Sequence, residues 1–324
     1  MSELFTPYRI GNLELRNRTI RSAAFEAMCP GHKPSKELFD YHIAVARGGI
    51  GMTTVAYAAV CQSGLSFKNQ LWMREEIIPD LKRLTDAIHS EGAKASIQLG
   101  HCGNMSHKKI CGCLPMGASR GFNLYSPTFV QKMNRAQIEE VAKELRNLGV
   151  EAIALSGGFV SRHPMYVMRG EFPVKTIVHY FPWSQWWLKA GVLLGGKIVA
   201  PTVPFRKLFF LEDALRFRKA MPDYPFIYVG GVVDRESADY VVDAGFPMLQ
   251  IGRAVLEDTE FVNKMMADEH HCSGCEHSNF CIGRMYSRSM QCHKHCIDIT
   301  PSLEKEVERV NGRNDRRERE LGYK

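Results

Sequence analysis

Two apolar spacings take turns along this chain. Short runs rich in β-branched residues, most of them closed by glycine, alternate with longer stretches in which apolar residues recur three and four apart. The opening residues 4–16 break the pattern and read as a hairpin with Gly11-Asn12 in its turn. Beyond it the pattern predicts a strand over 19–25, a helix over 36–47 capped by Ser35 and ended by Gly48-Gly49, and a strand over 51–60. A helix from about Pro79 turns Leu81, Leu84, Ala87 and Ile88 inward and leads to a strand over 93–99, which runs into Gly100-His101-Cys102-Gly103. Residues 104–133 hold no clear element, and a loop of that length after a strand belongs to a site or its lid. A helix over 135–148 follows, capped through Asn134 and Gln137, with Ile138, Val141, Leu145 and Leu148 as its buried stripe. The strand over 150–155 ends at Ser156-Gly157-Gly158. Residues 159–210 are irregular and aromatic, with a short helix near 184–194, and a helix over 211–221 leads into the last part of the chain.

That last part, 225–256, carries the sharpest signal. A strand over 226–229 meets Gly230-Gly231, Asp234 caps a helix that buries Ala238, Val241 and Val242, and Gly245 ends it. A second strand over 248–251 then meets Gly252-Arg253. Two parallel strands ending in glycine let backbone N–H groups approach an anion, while Arg253 can grip it bidentately. In a (β/α)8 barrel the last two strands often hold a phosphate. The plainer alternative is that Gly230 and Gly231 only make a tight βα turn. Strand–helix–strand order throughout demands parallel pairing and right-handed crossovers, so the fold class is α/β of the TIM-barrel type. It is incomplete, because six such strands are recognisable where a closed barrel has eight.

The chain's 324 residues, 45% hydrophobic, suffice for one large domain with a real core. The net charge of +7 is too widely spread to argue for nucleic acid. No run of 18 apolar residues is present to span a membrane, and the N-terminus lacks the apolar core of a signal peptide. Ten cysteines in such a chain are expected as reduced thiols or metal ligands. The expectation is a cytoplasmic protein with a small-molecule substrate and neither a nucleic-acid nor a membrane partner, with homo-oligomerisation left open. Cys272-x-x-Cys275, with Cys281 and Cys292 beyond, has a spacing that suits zinc or a [4Fe–4S] cluster. Residues 1–266 are assigned to the barrel-like domain, and 267–324 to a Cys-rich segment with a charged helical tail that only solvates.

Five motifs in order, LFTPYRIGNLELRNRTIRSA, IQLGHCG, LSGG, YVGGV and QIGRAVLEDTEF, resemble the old yellow enzyme group of FMN-dependent NAD(P)H oxidoreductases, which includes the 2,4-dienoyl-CoA reductase type. The resemblance implies an FMN-binding TIM barrel. In it Ser22, Ala23, Ala24 and Tyr57 contact the flavin ring, and Gln98 bonds its pyrimidine edge, which needs both the donor and the acceptor of an amide. Gly230, Gly231, Gly252 and Arg253 then cradle the phosphate, and residues 156–158 lie beside the ribityl chain or the substrate. The implied reaction is reduction by NAD(P)H of an activated C=C bond, in an α,β-unsaturated carbonyl or an enoyl thioester.

The departures are equally specific. The group's His-x-x-His or His-x-x-Asn pair on the fourth strand, and the arginine of its fifth, have no match here. The helix at 135–148 runs straight into VEAIALSGG, which resembles the sixth strand, so two βα units are absent, at about thirty residues each. The shortened chain can close a narrower ring, stay an open sheet, or draw residues 159–200 into the gap. Tyr57, His101 and Tyr166 are left to polarise the substrate, with Arg169 to hold an anionic group on it. Relatives of the dienoyl-CoA reductase type place an iron–sulfur cluster just past the last strand, with tighter cysteine spacing than Cys275 to Cys281. The rival reading is a degenerate barrel that binds FMN or a phosphate ligand without turnover.

Overall fold

A computed structural model of the chain describes residues 2–102, 106, 108–113, 119–123, 128–132, 152–155 and 164–323. The first half holds the hairpin β1 (Tyr8–Ile10) and β2 (Leu13–Leu15), then β3 (Thr19–Arg21), α1 (Lys36–Arg47), β4 (Met52–Ala59), the two-residue β5 (Leu71–Trp72), α2 (Ile78–Ser90) and β6 (Lys94–Gly100). A short α3 (Lys108–Cys111), β7 (Ser119–Asn123), β8 (Thr128–Lys132) and β9 (Ile153–Leu155) follow. Next come α4 (Pro164–Met168), α5 (Val174–Tyr180), α6 (Trp186–Val199), α7 (Leu211–Ala220), β10 (Phe226–Val229), α8 (Arg235–Asp243) and β11 (Met248–Ile251). The chain ends with α9 (Arg253–Glu257), α10 (Phe261–Ala267), α11 (Phe280–Met285) and α12 (Pro301–Glu320).

Local chemistry sets many of these boundaries. Ser35 accepts from the Leu38 N–H and starts α1 as expected. Asp234 and Ser237 form a reciprocal capping box on α8. Gly11, at φ 51°, makes the β1–β2 turn.

The parallel strands pair in the order β6–β4–β3–β11–β10–β9, with β5 also against β4. The last strand therefore lies beside the first (Leu249 opposite Thr19), as barrel closure requires. Among the described residues, however, β6 and β9 have no strand on their outer sides. The fold is of the TIM-barrel type, and its described strands form an open sheet. Among the described strands the gap falls between β6 and β9, where the two missing units would sit.

Helices cover the outer face. Leu38, Val45, Leu84, Ile88, Ala238 and Val241 pack with Val55, Phe226, Leu249 and Ile251 in the main core. Leu15 of the hairpin packs with Ile20, Met52, Ile227 and Met248 at the strands' N-terminal end, beside the partly buried Tyr8 and Ile10. The C-terminal end of the sheet is left for a site.

Two expectations need correction. Residues 104–133 contain an antiparallel hairpin, with β7 and β8 paired from Ser119–Lys132 to Asn123–Thr128. The tail does more than solvate, because α12 buries Leu303, Val307 and Val310 and its Asn314 donates to the His277 carbonyl. The helix expected over 135–148 lies outside the described residues.

Candidate active site

The site begins beneath the sheet's C-terminal end, at a buried ion network. Arg21, the last residue of β3, is 1% exposed and donates to Glu26 Oε1 (2.6 Å), the Thr54 carbonyl (2.7 Å) and the Ala24 carbonyl (3.1 Å). Glu26 in turn accepts from the Ala56 N–H at 3.1 Å, and His42 Nε2 lies 3.5 Å from the same carboxylate. A buried charge persists only when paired and hydrogen-bonded, and this pairing ties the loop after β3 to the end of β4. Ser22 to Ala24 and Tyr57 are thereby held side by side. Sequence reasoning passed over Arg21 and Glu26; the available signal was a charged residue inside a run that otherwise reads as a buried strand.

Above the network lies a cavity of about 1980 Å³, well above the ~300–1,000 Å³ of an ordinary small-molecule pocket. Ser22, Ala23, Ala24, Tyr57, Gln98, His101, Gly230, Gly231, Gly252 and Arg253 all line it. Ten expected residues, supplied by five strands and the loops after them, thus meet at one place. Tyr57 Oη accepts from the Cys102 thiol at 3.4 Å. Burial and the neighbouring thiol raise the Tyr57 pKa, so its hydroxyl stays protonated and available as a donor. His101 sits at the exposed side with Nε2 3.2 Å from Ser63 Oγ. Phe25, Phe67 and Tyr286 add an aromatic wall beside Tyr57, with Phe25 and Phe67 stacked at 4.6 Å. The sequence reading missed this wall, since its members lie far apart in the chain.

The cradle fits an anionic end group. Gly230 (φ 130°) and Gly231 (φ 80°) have left-handed backbones that a side chain would strain. A Cβ on Gly231 would also strike the Leu208 N–H at 2.7 Å, so the plainer role in a tight turn is real as well. At Gly252 the nearest atom to such a Cβ is Ser22 Cβ at 3.7 Å, so the backbone is open to approach there. Arg253 reaches the cavity with one guanidinium N–H donated to Asn279 Oδ1 (3.1 Å), which orients it. Gln98, exposed into the cavity, supplies the amide suited to a flavin's pyrimidine edge. The donor set therefore suits FMN. Residues 156–158 lie outside the described residues.

Three expected assignments are not met. Tyr166 does not line the cavity: its hydroxyl donates to Asp213 (3.3 Å) and its ring packs on Phe210. Arg169 does not line it either, and is buried rather than solvated. Its guanidinium lies 4.4 Å from the Phe209 ring centre, between Tyr166 and Phe210, where burial lowers its pKa. Cys272 Sγ points to Asp234 Oδ2 at 4.0 Å, while burial and the neighbouring Cys275 push the Cys281 thiol up to about 12 and Cys292 to about 11. Among the described residues no three His, Cys, Asp or Glu side chains are gathered closely enough to hold a metal ion. The segment instead helps to build the cavity, since Cys275, His277, Met285 and Tyr286 line it.

A parallel α/β sheet with a cavity at the C-terminal end of its strands defines a barrel-type scaffold with its site in the usual place. Residues 3–154 match the NADH:flavin oxidoreductase / NADH oxidase family. The chain is 28% identical over 379 positions to the 4,4'-dithiodibutanoate disulfide reductase of Rhodococcus erythropolis, covering 88% of this chain and 93% of that one. Those 379 positions exceed the whole chain, so part of the relative has no counterpart here, as the missing units require. An NADPH dehydrogenase of Listeria welshimeri is 36% identical over 111 residues, which is 32% of this chain and 31% of that one. Among solved structures, a 2-naphthoyl-CoA reductase complex superposes with a TM-score of 0.63 at 15% identity, covering 94% of this chain and 58% of that one. Over residues 3–154, just under half of the chain, the sequence is similar to the NADH:flavin oxidoreductase / NADH oxidase family, in agreement with the old yellow enzyme resemblance of its motifs. That family's cofactor is FMN and its reductant NAD(P)H.

Proposed function

We propose that this protein is an FMN-dependent oxidoreductase that uses NAD(P)H to reduce an activated C=C bond, in an α,β-unsaturated carbonyl or an enoyl thioester. The observation that carries the reading is the convergence of Ser22–Ala24, Tyr57, Gln98, Gly230, Gly231, Gly252 and Arg253 on one cavity. Bound FMN supplies hydride transfer between the nicotinamide and the acceptor. The chain's own residues bind and orient. Arg253 and the glycine backbones hold the phosphate end, Gln98 pairs with the ring's polar edge, and the Phe25–Phe67–Tyr286 wall keeps water away. Tyr57 holds its proton and donates a hydrogen bond to the acceptor's carbonyl oxygen, taking over from the absent histidine pair.

Anaerobic titration of the FMN-loaded protein with NADPH tests this. The flavin absorbance should bleach, and an enone or enoyl thioester should restore it. Bleaching that no alkene reverses would end the alkene reading. Failure to bleach would leave a barrel that binds FMN without turnover. A disulfide as acceptor is the second reading, favoured by the name of the Rhodococcus relative, and a dithiodialkanoate in the same cuvette separates the two.

A further inference from the structure

We propose that α6 and the residues before it form a docking surface for an anionic lipid membrane, bringing the mouth of the cavity to the lipid surface. Helix α6 reads WWLKAGVLLGGKIV and is apolar on nearly every side. Such a helix is normally buried. Here only its inner side is covered, with Gly196 against Val174 and Phe172. The outer side shows Trp186, Trp187, Leu193, Leu194 and Ile198, with Leu194 and Ile198 each 82% exposed, and Trp183 just before it is 84% exposed. With 14 residues it is too short to cross a bilayer, and no helix of the described residues can. That length and the cluster of tryptophans suit a helix lying in the interface.

Charge chooses the occupant. Residues 172–199 contain Lys175, Lys189 and Lys197 and not one Asp or Glu, while Arg206 and Lys207 further on pair with Glu212 and Asp234. Lys189 lays its ammonium 4.9 Å from the Trp183 ring centre, at the apolar tip. Lys175 and Lys197 are more than half exposed above carboxylates that are themselves largely covered, Glu306 and Glu171. A second copy of the chain would bring the same positive face to meet this one, and like charges across an interface oppose pairing. Anionic headgroups bring the complement, at roughly 1 kcal/mol per basic residue near the surface. The surface adjoins the site, because Trp183, Trp187, Lys189 and Val192 also line the cavity. The sequence reading expected no membrane partner because no spanning run exists, but interfacial docking needs none.

Three of the protein's four tryptophans lie in this patch, so intrinsic fluorescence reports on it. Full-length protein mixed with phosphatidylcholine–phosphatidylglycerol vesicles should co-sediment with them and shift its emission to the blue. Salt should weaken the binding, and pure phosphatidylcholine vesicles should bind at least tenfold less. The double variant Leu194→Gln/Ile198→Gln lies outside the cavity lining and should lose at least tenfold in vesicle affinity, with its melting temperature and FMN content unchanged. No blue shift on the anionic vesicles would overturn the proposal. So would a lipid-free dimer, seen by light scattering, that the double variant abolishes, since that would assign the face to a second copy. The vesicle assay needs no flavin, so its outcome and that of the NADPH titration are independent.

Discussion

The residues that position the site are mostly not those that would touch a ligand. Arg21 and Glu26 bury opposite charges beneath the loop that carries Ser22 to Ala24. Removing one partner of such a pair leaves an uncompensated charge, which costs about 3–5 kcal/mol. Arg21→Met should therefore lower stability by that amount in urea unfolding, and Glu26→Gln by less, because the amide keeps an acceptor for the Ala56 N–H. His42, fully buried beside Glu26, gives a pH dependence of known sign. Burial lowers its pKa below the usual 6.5 more than the Glu26 contact raises it. Below that value the unfolded chain binds the proton and the folded one resists it, so His42's share of stability is complete above pH 6.5 and is lost as pH falls. Replacing His42 by Asn should flatten the fall in unfolding free energy between about pH 7 and 5. Of the cavity-lining residues, Ser22–Ala24, Tyr57 and Gln98 were expected only from the resemblance, while the glycine pair and Gly-Arg were legible as local signals. The supporting network was not, because a charge inside a strand run does not announce its partner. Tyr166 and Arg169 misled for the converse reason: they sit in a segment resembling the relatives, yet Tyr166 packs on Phe210 at the surface and Arg169 is buried against Phe209.

At the scale of elements, local punctuation predicted most boundaries. The α8 cap was readable from Asp234, and the structure adds that Lys207 pairs with that carboxylate at 2.5 Å. Burial raises the Asp234 pKa, but Lys207 and Ser237 outweigh it and the net shift is downward. Asp234→Ala removes a cap worth about 1 kcal/mol, and Lys207, half exposed, keeps Glu236 at 3.7 Å, so the loss in unfolding free energy should stay near that value. Helix α12 was legible as a helix but not as a packed one. Its buried face is a narrow stripe amid charges, and its anchor lies far back in the chain at Glu171, which accepts from Arg313 at two 3.0 Å contacts and from Lys197 of α6 at 2.7 Å. Glu171→Gln loses its ion pairs with Lys197, Arg313 and Arg317 at once. Limited proteolysis of that variant should release α12 faster than from the wild type, with the earlier part of the chain cut at an unchanged rate.

In its described strands the molecule differs from a closed barrel by the gap between β6 and β9, and that gap has a thermodynamic consequence. In a closed ring the strands on either side of the cavity hold each other through a continuous ladder of hydrogen bonds. Here Gln98 stands on an edge strand, next to Leu99 at 55% exposure, while the glycine cradle stands on β10 and β11 beyond β4 and β3. A ligand whose ring meets Gln98 and whose phosphate meets Arg253 would bridge these two regions and contribute part of the cohesion that ring closure gives elsewhere. Sequence showed that two units were absent but not whether six strands would close, because closure depends on register and tilt rather than on any residue. Ligand binding to the native state alone stabilises it by RT ln(1 + [L]/Kd), about 2.7 kcal/mol at a hundredfold excess over Kd. For a domain of this size that is a rise in melting temperature of several degrees. FMN should produce that rise, and riboflavin, which lacks the phosphate, should produce much less. Arg253→Gln should weaken FMN binding by about 10–100-fold, the worth of a charged hydrogen-bond partner, and abolish most of the shift. Its ligand-free melting temperature should match the wild type, because in the free protein Arg253 gives up only its contacts with Asn279 and the Phe205 ring. Equal shifts from FMN and riboflavin would mean that the phosphate is not held where Gly230, Gly231, Gly252 and Arg253 meet.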